Sequence, residues 1–155
     1  MRGCVINMKK IVVCCVAIFG VLLIFSLYVP RPIVSDTGNA TILISYNPNF
    51  NDATQDPDDI ITIENFDKER VLDCLRHYSE QKILFGRATK GFGTGDIELS
   101  IFIVEEGGQS KTLSLGNTNY SYQSYGGPLY KILDAKNLTA ELLEILNVKT
   151  TTTTE

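Results

Sequence analysis

Residues 11–29 read IVVCCVAIFGVLLIFSLYV, nineteen residues without a charge. As a helix rising ~1.5 Å per residue, that run is about 29 Å long, close to the hydrocarbon thickness of a bilayer. A helix packed in a globular domain keeps a polar stripe, whereas this run is apolar on every face. It predicts a transmembrane helix, with the bilayer as the first partner of the chain. Arg2, Lys9 and Lys10 precede the run and only Arg31 follows closely. Because positive charge stays in the cytoplasm, the N-terminus is expected inside and the rest outside, at the cell membrane and extracellular. A cleaved signal peptide has an apolar region of roughly 7–15 residues followed by small residues. Here the run is longer and ends in Tyr28-Val29-Pro30-Arg31-Pro32. An uncleaved anchor is the better reading. A lipoprotein fits less well, because Cys14 and Cys15 lie within the run.

Charge divides along the same boundary. Three of the fourteen basic residues fall in 1–29, with no acid. The remaining eleven face all eighteen acids in 30–155, a net −7. An acidic outer part has no electrostatic reason to bind nucleic acid. Of the four cysteines only Cys74 lies beyond the run, so no intrachain disulfide is expected there and the outer part must stand on its core.

The expected organisation is a cytoplasmic stub at 1–10, the membrane helix at 11–29, and a short proline-bearing stalk at 30–39. An extracytoplasmic domain follows at 40–147, and a disordered threonine-rich tail at 148–155. Within the domain, 40–47 (ATILISYN) and 60–66 (IITIENF) read as strands. Asp67 is a candidate N-cap of a helix whose inner face is Val71, Cys74, Leu75 and Tyr78. Asp73, Arg76, His77 and Glu80 face away or flank it, and its end is expected near 81–84. Residues 97–117 form the strongest hairpin signal, with Ile97, Leu99, Ile101 and Ile103 alternating before a Gly107-Gly108 turn. Residues 119–132 continue the sheet, and 136–147 form a last helix with Leu138, Leu142, Ile145 and Leu146 on one stripe. The expected fold class is α+β, a mostly antiparallel sheet packed with two helices in the order β-β-α-β-β-β-α.

Candidate chemistry is sparse. The glycines at 91, 93 and 95 match neither phosphate-loop spacing and precede a strand, not a helix. Cys74 and His77 share a helix, but zinc needs three or four ligands and the outer part holds no other Cys or His. The acids Asp52, Asp56, Asp58 and Asp59 could collect calcium, yet the spacing departs from an EF-hand and a solvated loop is the plainer reading. No GxSxG elbow is present and the single histidine sits on a helix, so no catalytic residue, metal or cofactor is expected and the chain is read as not an enzyme. Asn39-Ala-Thr41, Asn119-Tyr-Ser121 and Asn137-Leu-Thr139 match the N-glycosylation acceptor pattern. Four of seven tyrosines crowd into NYSYQSYGGPLYKI, residues 119–132. Tyr120 and Tyr122 point the same way on a strand, and aromatic faces with polar tips suit sugars and peptides. Half-buried sheet positions also enrich aromatics. Tyr120 and Tyr122 are the candidate ligand-binding residues.

The stretches DDIITIENFDKERVLDCL, IELSIFIVEEGGQSKTLSLG and NYSYQSYGGPLYKILD, leading into a final helix, resemble a family of small membrane-anchored or lipoprotein-like bacterial domains of unknown function, found mainly in Firmicutes. The resemblance is one of pattern over residues 60–146. It implies an extracytoplasmic α+β module, brings no catalytic residues, and makes Tyr125 and Tyr130 structural. The expected function is a non-enzymatic binding or interaction module at the cell surface, meeting an envelope protein, a peptide or cell-wall glycan. The alternatives are a cell-wall-directed hydrolase and an immunity-type protein.

Overall fold

The computed structural model describes residues 8–35, 40–50, 60–88 and 96–148, without the side chains of Lys9, Ser26 and Leu27. Most of the stub, the acidic loop at 51–59, the glycine-rich loop at 89–95 and the tail at 149–155 lie outside the described residues.

The chain begins with α1 (Met8–Tyr28). Its apolar side chains stand in the open: Val13 and Val16 are each 67% exposed and Phe25 68%. Among the described residues no helix is long and apolar enough to cross a membrane.

Beyond α1 the domain is α+β, as expected. One antiparallel sheet of eight strands runs in the order β1-β4-β8-β7-β6-β5-β2-β3. The strands are β1 (Arg31–Pro32), β2 (Thr41–Tyr46), β3 (Ile61–Ile63), β4 (Ser79–Arg87), β5 (Ile97–Val104), β6 (Ser110–Gly116), β7 (Tyr120–Tyr122) and β8 (Pro128–Ile132), with α2 (Lys68–His77) and α3 (Ala135–Ile145) between and after them. The core face carries Ile44, Leu99, Ile101, Ile103, Leu113, Leu115 and Ile132 against Leu72, Leu75, Leu138 and Leu142 of the helices. Burying each such side chain contributes roughly 1.5–3 kcal/mol, which is what holds the layers together.

Local signals place the elements. Asp67 caps α2, its carboxylate accepting from Arg70 N at 3.1 Å. Gly107 (φ 105°) and Gly108 (φ 81°) turn the β5–β6 hairpin, closed by Glu105 N to Gln109 O at 2.8 Å. α3 ends at Asn147 (φ 54°), where Val148 N reaches Leu143 O at 3.0 Å and Asn147 N reaches Glu144 O at 3.1 Å, a Schellman closure.

Two expectations are corrected. The element order differs, because Arg31–Pro32 and Ser79–Arg87 are strands and 119–132 forms two strands, β7 and β8. And α2 stops at His77, where Tyr78 turns extended (φ −100°, ψ 156°). Past Tyr78 the stripe would continue through Gln81 and Lys82, so further helical turns would bury no apolar side chain there, whereas an extended 79–87 pairs with both β8 and β1. The segment read as a stalk also contributes to the core: Ile33 and Val34 are 1% and 2% exposed.

Candidate functional site

Side chains alternate across a strand, and the pairing register fixes which face each one takes. Ser121 lies opposite Leu113 and Tyr130 and is fully buried, so it belongs to the helix-covered face. Tyr120 and Tyr122 therefore point to the other face, which neither α2 nor α3 covers. The register builds two rows there. One runs Ser45–Ser100–Ser114–Tyr120–Lys131 and the next Leu43–Phe102–Thr112–Tyr122–Leu129. Leu43 is 55% exposed and Phe102 37%, while Tyr120 and Tyr122 are half-buried. The Tyr122 ring lies 5.8 Å from that of Tyr125, tilted by 42°. Burial and the nearby Tyr125 push the Tyr122 hydroxyl up from its ordinary pKa, so it stays a neutral donor and acceptor. An apolar row beside a row of hydroxyls is a surface that can stack on one side of a ligand and hydrogen-bond along its edge.

The structure does not treat the four tyrosines of 119–132 alike. Tyr125, which the resemblance made structural, is 70% exposed in the turn before β8. Tyr130 is 8% exposed and carries the guanidinium of Arg31 4.0 Å above its ring.

That guanidinium belongs to a buried charge network the sequence reading missed. Glu80 has no exposed surface and accepts from Arg31 Nε at 2.7 Å and Lys111 Nζ at 2.8 Å. Ser121 Oγ also donates to Glu80, and Lys111 donates to the Ile33 carbonyl. Burial pushes the Lys111 pKa down and Glu80 pulls it back up. Every polar atom of the carboxylate is thus engaged, which suits a structural clamp better than a reactive group.

The remaining candidates separate. Cys74 is buried, and burial together with Glu141 pushes its thiol up to about 12, far from a reactive thiolate. His77 Nδ1 lies 2.7 Å from Asp73 O, while the Asp73 carboxylate takes Arg76. Asp52, Asp56, Asp58 and Asp59 and the glycines at 91–95 lie outside the described residues. Among the described residues no group of three His, Cys, Asp or Glu is placed to hold a metal. Of the acceptor-pattern asparagines, Asn119 is tied on both sides to the Gly116 backbone, at 3.2 and 3.0 Å.

A cleft of about 660 Å³ between β5, α3 and the β2–β3 loop is lined by Phe50, Glu98, Asn119, Lys136 and Glu144 among others. Burial pushes the Glu98 carboxyl up from its ordinary pKa. No family model, curated protein or solved structure matches the chain.

Proposed function

We propose that this chain is a single-pass, membrane-anchored extracytoplasmic protein whose α+β domain is a non-enzymatic binding module, with the uncovered sheet face as its contact surface and a glycan chain as its ligand. The observation that carries the reading is the pair of adjacent rows on that face, one with exposed Leu43 and Phe102 beside Tyr122, one with the hydroxyls of Ser45, Ser100 and Tyr120. Sugars present apolar faces and a hydroxyl rim, and this surface offers a partner to each. The anchor is supported by the nineteen uncharged residues and by the exposure of the α1 side chains, which only an apolar surrounding would relieve.

The test uses the full chain in phosphatidylcholine proteoliposomes incubated with purified cell-wall glycan. Sedimenting glycan with the wild type, but about tenfold less with a Tyr120→Ala/Tyr122→Ala variant, supports the reading. Equal retention by both, or none by the wild type, overturns it.

A hydrolase is a second reading with an observation behind it. Glu98 and Glu144 line one cleft, and burial pushes the Glu98 carboxyl upward, the direction a general acid needs. It predicts glycan cleavage that Glu98→Gln abolishes; retention without cleavage leaves the binding module standing.

A further inference from the structure

β1 follows α1 after two residues, and β4 pairs with it antiparallel, Arg31 opposite Glu80 and Pro32 opposite Ser79. Beyond Glu80, β4 therefore runs back in the direction from which α1 arrived. Gln81 fixes this, donating from Nε2 to the carbonyl of Tyr28, the last residue of α1, at 2.8 Å. At ~3.3 Å per residue, five further residues carry the strand about 17 Å past Glu80 toward the α1 side.

What stands at that end is unusual. Phe85 is 95% exposed and Leu84 45%. Phe85 sits at φ 62°, a conformation a bulky residue adopts only under constraint, and the β4–β8 register shifts between Lys82 and Arg87. The neighbouring turn is tied to the same place, Gly126 N donating to Ala88 O at 2.7 Å and Ala88 N to Gly127 O at 3.1 Å. That places the turn bearing exposed Tyr125 at the same end of β4 as Phe85. Lys82 and Arg87 flank the bulge, and exposed Lys131 lies opposite Gln81. The acidic Glu105, at the β5–β6 turn, shares a cleft with Arg31 and Lys111.

We propose that the Leu84–Phe85 bulge is a membrane-contacting wedge that dips into the phospholipid surface beside α1, with Arg87 and Lys131 facing lipid phosphates and Tyr125 at headgroup depth. The occupant is argued from continuity with α1 and from charge complementarity; an aromatic and aliphatic tip with a cationic collar is what an interfacial contact requires. The proposal rests on the anchor reading above.

The chain contains no tryptophan, so one introduced residue reports its own surroundings. Three full-length variants, Phe85→Trp, Phe19→Trp in α1, and Ile61→Trp at the opposite end of the sheet, are reconstituted into phosphatidylcholine–phosphatidylglycerol vesicles with brominated acyl chains. The expected result is quenching at 19 and 85, the latter at least about twofold that at 61. Quenching at 19 but only background at 85 overturns the wedge and leaves the anchor. Quenching at 85 alone removes the anchor and with it a wedge seated beside α1, and quenching at neither removes both.

Discussion

Glu80 makes a carboxylate wholly dependent on its neighbours. Replacing it with Ala leaves Lys111 buried without its counter-charge, which costs about 3–5 kcal/mol. Urea unfolding is expected to show that loss, and a Glu80→Ala/Lys111→Met double variant to recover most of it, since the uncompensated charge is then gone. Cys74 carries a pH signature instead. Its thiol rises from 9.0 to about 12 on folding, so the folded state holds the proton that the unfolded chain releases. The stabilisation is present below pH 9 and is lost as pH rises from 9 toward 12. Stability measured across that window should fall more steeply in the wild type than in Cys74→Ser, with Cys4, Cys14 and Cys15 replaced by serine in both. Neither residue announced its role. Glu80 reads as the outer flank of a helix because its true environment comes from Arg31 and Lys111, 49 and 31 positions away.

Among elements, β4 is where reading the chain and folding it part company. α2, the β5–β6 hairpin and α3 are legible because each alternates apolar and polar residues at its own period. SEQKILFGR does not. Its inward positions are Glu80 and Lys82, and its most apolar residues face outward at a bulge, so the usual sign of a buried strand is inverted. β1 is hidden for a related reason: two prolines around an arginine signal a linker until a charged partner is known. The bulge itself yields a prediction. A glycine at 85 adopts φ 62° without the steric penalty a phenylalanine meets. Phe85→Gly should therefore raise the unfolding free energy of the detergent-solubilised chain by about 1 kcal/mol while losing the lipid contact.

At the scale of the whole molecule the sheet divides labour between its faces. One face is closed by α2 and α3, and the other holds the Tyr120 and Tyr122 rows. The shared direction of these tyrosines was legible from strand parity. Which face they take was not, because the intervening residue on the buried side is a serine, explained only by its bond to Glu80. As both rings are half-buried on an open face, the Tyr120→Ala/Tyr122→Ala variant should remain folded, losing no more than about 2–3 kcal/mol by thermal unfolding. In oriented membranes an external protease should digest the domain from intact cells while sparing 8–28; protection of the domain would reverse the topology.

The pairing of Arg31 and Pro32 with the start of β4 leaves only Val29 and Pro30 between helix and sheet. With α1 inserted, so short a junction removes nearly all slack, and the domain can neither tumble nor extend away from the lipid. Its strands then stand upright and the tyrosine-bearing face looks sideways along the membrane plane. If that face binds its proposed ligand, capture becomes a search in two dimensions. Crowding within the membrane would set the encounter rate, and lengthening that two-residue junction with flexible linker would trade orientation for reach.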